Sequence, residues 1–499
     1  MSIVAARSSS LLAALEPPRP RPHYRRMRGE PQPAASTAPA PASFRPERAL
    51  MELADWLGDP VAPADFPHTV LRWRNDRWAA AVGLGDLTDS EWVRHFARFE
   101  PLPGTLPGPL ALRYHGHQFR VYNPEIGDGR GFTFAQMRDG AGRLLELGTK
   151  GSGQTPWSRT ADGRLTLKGA VRELLATEML EALGVNTSKT FSVVETGEAL
   201  YRGYEPSPTR SAVLVRLSHG HIRIGSFQRL AALEERDHMG QLVDYCLAQF
   251  PGPLPPEDAP GRDEPAVFLL HQVVERLADL AASWMVAGFV HGVLNTDNMN
   301  VTGESFDYGP WRWLPQWDPS FTAAYFDHAG LYAFGRQPEA LYWNCGQLAI
   351  ALRTLAEAPP LLAALERFGP LYMAHIRRRW LWRLGLAPRG EEADGALVAA
   401  CEAAMVESGE APDAFFHRHR FGRGASGTLR EALTDYQPSA PPHALWDEDA
   451  PPCLVIETVE ALWAAIAERD DWQPLMGRVA AIRRLGEALG AAPVPAAHA

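Results

Sequence analysis

The chain has 499 residues, more than one compact domain usually holds, and its 45% hydrophobic and 22% charged residues are the composition of a globular protein. Lys and Arg total 49 against 59 Asp and Glu, and the net charge of −10 argues against a broad surface that tracks nucleic-acid phosphates. No apolar run reaches the roughly 18 residues of a membrane span, and the four cysteines, Cys246, Cys345, Cys401 and Cys453, lack the spacing of a zinc site or a disulfide scaffold, so they read as thiols in a reducing compartment.

In chain order, residues 1–46 come first, rich in Pro, Ala, Ser and Arg ("PPRPRPHYRRMRG", "PQPAASTAPAPAS"), and they bury too little apolar surface to offset chain entropy. An unstructured extension is expected there. Its five arginines between Arg19 and Arg28 suggest a mitochondrial presequence, but the proline density opposes the amphipathic helix that such a presequence needs, and a cytoplasmic setting is favoured.

Within residues 47–235, "FTFAQMRD" and "RLLELGTKG" read as two strands joined by the tight turn "GAG". A helix follows from about Lys168, with Val171, Leu174, Leu175, Met179 and Leu183 near helical spacing and Gly184 as its stop. "SAVLVRLS" is a further strand, with Val213, Val215 and Leu217 alternating. From Pro265 the character becomes helical. A long buried helix, "AVFLLHQVVERLADLAASWMVAGF", lies in the segment 236–385, and "TVEALWAAIAERD" in a C-terminal helical extension, 386–499. A β-rich unit followed by a helical one predicts an α+β class and the two-lobed layout of a protein-kinase-like fold.

The long helix delivers the chain into "FVHGVLNTDNMNV". A kinase catalytic loop carries His-x-Asp, four residues, then Asn. His291 and Asn298 stand at that separation, but Val293 occupies the position of the base, and Asp297 sits beside the Asn. The other parts of a phosphotransfer site also occur in order. "IGDGRGF" supplies Gly127, Gly129 and Gly131 for close approach to phosphate, with Arg130 adding charge, although such a turn on its own is more often a plain hairpin. Lys150 ends a strand, and Glu173 lies 23 residues on, where a helical ion-pair partner belongs. "FDYG" contains Asp307, which with the Asn298 amide suits a hard octahedral ion such as Mg²⁺. Arg216 and Arg223 read equally as surface salt-bridge residues or as a clamp on a triphosphate. The two-residue spacing of His219 and His221 is common by chance and is a weak metal signal.

These runs, with "YHGHQF", "KGSGQTPWSRTADGRLTLKGAVRE", "LVRLSHGHIRIGSF" and "GLYAFGRQPEALYWN", resemble the selenoprotein O family of kinase-like protein adenylyltransferases over about Tyr114 to Leu352. The resemblance implies ATP bound in reversed orientation, so that AMP passes to a Ser, Thr or Tyr hydroxyl of a protein, the enzyme itself included, and pyrophosphate leaves. It also implies that Asp297 accepts the proton and that Asn298 and Asp307 hold Mg²⁺ or Mn²⁺. Gly127, Gly129, Arg130, Lys150, Asp162, Gly163, Arg216 and Arg223 would surround the nucleotide, with Glu173 paired to Lys150. Asp162 and Gly163 enter through the resemblance alone. Many members end in a selenocysteine or cysteine near the C-terminus. Here the last residues are "GAAPVPAAHA", and a C-terminal redox switch is not expected. Two alternatives stand beside this reading: an atypical kinase with ATP in the usual orientation, and an inactive nucleotide-binding pseudokinase.

Overall fold

The structure, a computed structural model, describes residues 42–203 and 205–492. In chain order its strands are β1 (Pro46–Glu47), β2 (Gly58–Pro60), β3 (Val70–Arg74), β4 (Leu110–Leu112), β5 (Gly116–Gln118), β6 (Val121–Asn123), β7 (Thr133–Arg138), β8 (Leu144–Lys150), β9 (Leu165–Thr166), β10 (Lys189–Leu200), β11 (Thr209–Ser218), β12 (Phe289–Val290) and β13 (Arg312–Trp313). The helices are α1 (Ala54–Leu57), α2 (Asp76–Ala81), α3 (Asp89–Phe96), α4 (Leu167–Ala182), α5 (Ile224–Ala232), α6 (Arg236–Gln249), α7 (Pro265–Ala287) and α8 (Gln337–Leu352). They continue as α9 (Ala358–Glu366), α10 (Phe368–Leu384), α11 (Glu391–Ser408), α12 (Pro412–His419), α13 (Gly427–Leu433), α14 (Ile456–Arg469) and α15 (Gln473–Leu489). The class is α+β. Of the expected 1–46 extension, residues 1–41 lie outside the described residues; the remainder leads into β1, with Ala42 N donating to Ala80 O at 2.9 Å.

Nine strands form one sheet in the order β2-β4-β7-β8-β11-β10-β3, with β1 on β7 and β9 on β11, and its pairings are antiparallel. Strand alternation decides what each face carries. Leu145 and Leu147 of β8 and Val213, Val215 and Leu217 of β11 pack under Trp78, Trp92 and Phe96 of α2 and α3. Glu146, Gly148 and Lys150 of β8 share the other face with Leu214 and Arg216 of β11, where Leu214 joins the apolar cluster of α4 and α7. One face is sealed, and the other is free to carry charge.

The β7–β8 turn forms because the Asp139 carboxylate accepts from Ala141 N and Arg143 N, and Gly142 takes a φ of 84°. Helix α4 starts where Thr166 Oγ1 accepts from Gly169 N at 3.1 Å, and Gly184, with φ 70°, follows its end, close to the bounds that periodicity predicts. The sequence reading assigns no strand to β10. Its residues from Thr190 to Val194 are all buried, and bulges interrupt its register, so the alternation that marks a strand is absent.

Helix α7 is apolar nearly all round and packs against α6, α8, α9 and α10. Helices α14 and α15 pack on α4. Arg483 clamps the buried Glu178 through two bonds of 2.7 and 2.8 Å, and Lys168 meets Glu460 at 2.7 Å. The C-terminal helices thereby fix the helix that carries Glu173.

Candidate active site

Lys150 ends β8 with its side chain 5% exposed, and its Nζ lies 2.5 Å from Glu173 Oε2 on α4. A pair this buried survives desolvation only with good geometry, and it fixes the distance between sheet and helix. The spacing-based assignment of Lys150 and Glu173 as partners is what the structure contains.

The long helix α7 ends at Gly288 (φ 62°), β12 pairs with β13, and the loop that follows is pinned at several points. His291 Nε2 bonds to Phe306 O at 3.0 Å, and burial lowers the imidazole pKa, so the neutral ring donates this proton. Met299 O accepts from Ile224 N at 3.0 Å, and Val301 N donates to Ile222 O at 3.1 Å. The segment after β11 and the catalytic loop therefore form one unit, which brings Arg223 over Asp307.

Asp307 adopts a left-handed φ of 61°. Its Oδ1 lies 2.9 Å from Arg216 Nη1 and 3.6 Å from Lys150 Nζ, and its Oδ2 lies 3.1 Å from Arg223 Nη1. Burial opposes its ionisation, but Arg216, Lys150 and Arg223 hold its carboxyl well below the usual range. Arg223 also donates to Asp128 Oδ1 at 2.9 Å and to Asp297 O at 3.0 Å, and it stacks on Tyr114 and Phe306 at 4.5 and 4.9 Å. Three cations here face three carboxylates, Glu173, Asp307 and Asp128. The two arginines are thus neither surface salt-bridge residues nor unoccupied.

Asp297 lies in the short turn Thr296–Asn298. Thr296 Oγ1 accepts from His117 N at 2.7 Å and donates to Gln228 Oε1 at 2.6 Å, which fixes the turn. Asp297 Oδ1 is buried without a hydrogen-bond partner, beside the backbone of Gly116, where a Cβ would stand 3.2 Å away. Burial raises the carboxyl pKa to about 6 against the pull of Arg223, leaving a group ionised at neutral pH and basic enough to accept a proton. Val293, at the kinase base position, offers no polar atom.

Among the described residues no three His, Cys, Asp or Glu side chains gather as a metal cage. Mg²⁺ in nucleotide sites needs only one or two protein oxygens, and the Asp307 carboxylate, held ionised, is of the type that such an ion takes. The charge balance fits the same ion: Asp297 adds a fourth carboxylate to the three that face Lys150, Arg216 and Arg223, and a divalent ion at Asp307 would offset that excess before a triphosphate binds.

The glycines of "IGDGRGF" answer first to their own chain. A Cβ on Gly127 would lie 2.5 Å from Trp157 Cγ, one on Gly129 2.8 Å from Trp157 O, and one on Gly131 2.1 Å from Thr149 O. The loop "QTPWSR", without a role in the sequence reading, buttresses this turn: Thr155 Oγ1 donates to Asp128 O at 2.6 Å, and Ser158 Oγ to Gly129 O at 2.5 Å. Arg130 is exposed at the rim, and Gly151 N donates to its carbonyl at 2.7 Å. Asp162 forms an ion pair with Arg202 at 2.8 Å. Gly163 (φ 69°) accepts from Gly153 N at 3.2 Å in the loop that leaves Lys150.

Asp128 was hidden between the glycines, and its signal was being the one acid in that turn. Glu146 was legible by alternation, lying on the Lys150 face. It accepts from His221 Nδ1 at 2.8 Å, and Arg216 Nε donates to His221 Nε2 at 3.3 Å. Gly148 makes room for that ring, since a Cβ there would meet His221 Nε2 at 2.4 Å. His219 instead bonds to Leu144 O at 2.7 Å, so the two histidines do not share a ligand.

Glu304, buried behind this loop, accepts from His219 N at 2.9 Å, and burial pushes its pKa from 4.5 to about 7. An acid whose folded pKa is raised binds its proton more tightly in the fold, so stability falls as pH rises between those values. Glu304→Gln, a neutral isostere, is expected to stabilise the protein by about 2–4 kcal/mol at pH 8 and not at pH 4, as read by denaturant unfolding. Equal effects at both pH values would contradict this.

A family model described as Protein adenylyltransferase SelO matches residues 42–423. Among curated proteins, the Protein nucleotidyltransferase YdiU of Synechocystis sp. is 41% identical over 462 residues, covering 86% of this chain and 95% of the relative. Its namesake in Gloeobacter violaceus is 41% identical over 473 residues, covering 88% and 95%. That of Vibrio cholerae is 38% identical over 343 residues, covering 68% and 67%.

Proposed function

The chain belongs to the SelO family of protein adenylyltransferases, and from that membership we propose a reaction in which ATP lies reversed in a kinase-like cleft and AMP passes to a protein hydroxyl. It is a protein nucleotidyltransferase. The observation that supports this reading is the placement of the base: Val293 is apolar, while Asp297 presents an unpartnered buried oxygen beside Asn298; the reversed orientation itself is inferred from the family membership.

In this reading residues 47–235 and 236–385 are the two lobes of the kinase-like fold, and 386–499 is an extension whose helices brace α4. Asp297 Oδ1 takes the proton of a Ser, Thr or Tyr hydroxyl as its oxygen bonds to the α-phosphorus. The bond from that phosphorus to the bridging oxygen of the β-phosphate breaks, and pyrophosphate leaves. Lys150, Arg216 and Arg223 hold the β- and γ-phosphates, with Arg130 adding charge from the rim, and Gly127, Gly129, Asp162 and Gly163 shape the surrounding loops. Asn298 and Asp307 would hold Mg²⁺ or Mn²⁺, which supplies neutralisation of the phosphate oxygens. The acceptors are proteins, itself included. Among the described residues no helix is long and apolar enough to cross a membrane, and free, mostly buried thiols suit a reducing cytoplasm.

Incubation of the protein with Mg²⁺ and α- or γ-labelled ATP tests the orientation. The expected result is label from the α-position alone, an added AMP mass and pyrophosphate as product. Label from the γ-position with ADP release would instead identify a kinase, and nucleotide binding without either label an inactive pseudokinase.

A further inference from the structure

Transfer to a protein requires a surface on the acceptor side of Asp297, and β5–β6 is built against that carboxylate. The hairpin is fastened to the catalytic loop by His117 N to Thr296 Oγ1 (2.7 Å) and Phe119 N to Asn295 Oδ1 (2.9 Å). Phe119 and Arg120 form its tip with φ of 50° and 63°. The strand register pairs Gly116 with Asn123 and Gln118 with Val121. By alternation these residues share one face, the face on which Gly116 borders Asp297, whereas His117 and Tyr122 lie on the other and contact each other with ring centroids 5.1 Å apart.

That face ends in an apolar residue with no cover: Val121 is 70% exposed. At the tip, Phe119 meets Phe326 with centroids 5.7 Å apart, and Phe326 meets Tyr325 at 5.1 Å. Tyr325 is 82% and Phe326 43% exposed. Tyr332 anchors the corner, its ring 4.9 Å from Phe119 and its hydroxyl donating to Asn295 Oδ1 at 2.8 Å. An exposed apolar strip therefore lies along and beside a hairpin that is tied to the loop carrying Asp297. Exposed aromatic side chains in such a place are typical of recognition surfaces.

We propose that Val121, Tyr325 and Phe326 form the docking surface for the acceptor polypeptide, which carries a bulky apolar residue beside the hydroxyl that receives AMP. The hairpin that carries Val121 and Phe119 borders Asp297 at Gly116 and is bonded to Asn295 and Thr296, a side that protein modification already makes an interface. Beside these apolar groups Arg120 and Arg336 share the single carboxylate of Glu339, at 3.2 and 3.3 Å, which leaves one net positive charge at the border of the strip. This inference rests on Asp297 being the group that faces the acceptor.

The test uses the full chain and two fluorescein-labelled peptides that differ only in having Leu or Ala on both sides of a central Ser. Binding to Asp297→Asn in the presence of ATP and Mg²⁺ is read by anisotropy, and labelling of the same peptides by wild type with α-labelled ATP. The Leu peptide is expected to bind roughly tenfold more tightly than the Ala peptide. Tyr325→Ser with Phe326→Ser, and separately Val121→Ser, are expected to remove that preference and to raise the peptide KM while kcat and the KM for ATP hold. Equal binding of both peptides, or a preference that survives all three substitutions, would overturn the proposal. So would sedimentation in which the substitutions only dissociate a dimer, since the strip would then be an interface between two copies. Full transfer by Asp297→Asn would instead undercut the assignment of the base, a result separable from either peptide outcome.

Discussion

Asp297→Asn is expected to lower AMP transfer by about 10²–10⁴-fold, the usual contribution of a positioned general base, while ATP binding is retained. Asn keeps the size of the side chain and removes the proton acceptor. The charge is a net cost to the fold: Oδ1 is buried without a hydrogen-bond partner, and burial outweighs the pull of Arg223 and the Gln118 hydrogen bond on the carboxylate. The variant should therefore unfold at the same or a higher temperature than wild type. Pyrophosphate release, calorimetric titration with ATP and a thermal melt together make the test. A folded variant with the wild-type rate would remove Asp297 from the mechanism, and one that also loses ATP would show the residue to be part of the nucleotide site instead.

Arg223→Ala is expected to have the largest combined effect on stability and activity. The guanidinium is 2% exposed and joins Asp128 in the glycine turn, Asp307 in "FDYG" and the Asp297 carbonyl in the catalytic loop. Truncation leaves Asp128 and Asp307 facing each other with less compensation in a dry site. Breaking a buried pair in this way costs about 3–5 kcal/mol, and transfer should fall to background because Asp307 and the turn lose their common tether. Arg223→Lys keeps the charge, but its single ammonium cannot bridge both carboxylates in the plane of a fork, and an intermediate stability is expected. Urea unfolding of the three proteins supplies the measurement. A loss below about 1 kcal/mol for Arg223→Ala would mean that Arg223 behaves as a surface ion-pair residue with little structural weight.

The sequence alone determined the elements whose signals are local. The tight turn "GAG" between two strand-like runs marked β7 and β8, alternation of Val213, Val215 and Leu217 marked β11, helical spacing with Gly184 marked α4, and the length and apolar character of the segment after Pro265 marked α7. The order of Lys150, Glu173, Asn298 and Asp307, with Val293 in the place of a base, was equally legible because each residue keeps a set distance along the chain from a recognisable motif. Tertiary structure decided which charges meet. Arg216 and Asp307 are 91 residues apart, and Arg223 and Asp128 95 apart, in the sequence, yet they bond because sheet register and the pairing of the segment around Arg223 with the catalytic loop bring them together. Two further contacts escaped the sequence for the same reason: Asp162 turns to Arg202, and the glycines of the turn make room for Trp157 and Thr149. Local spacing fixes which side chains a strand or helix can offer. The partner each one takes depends on desolvation and packing between distant segments, and these exist only once the chain has folded.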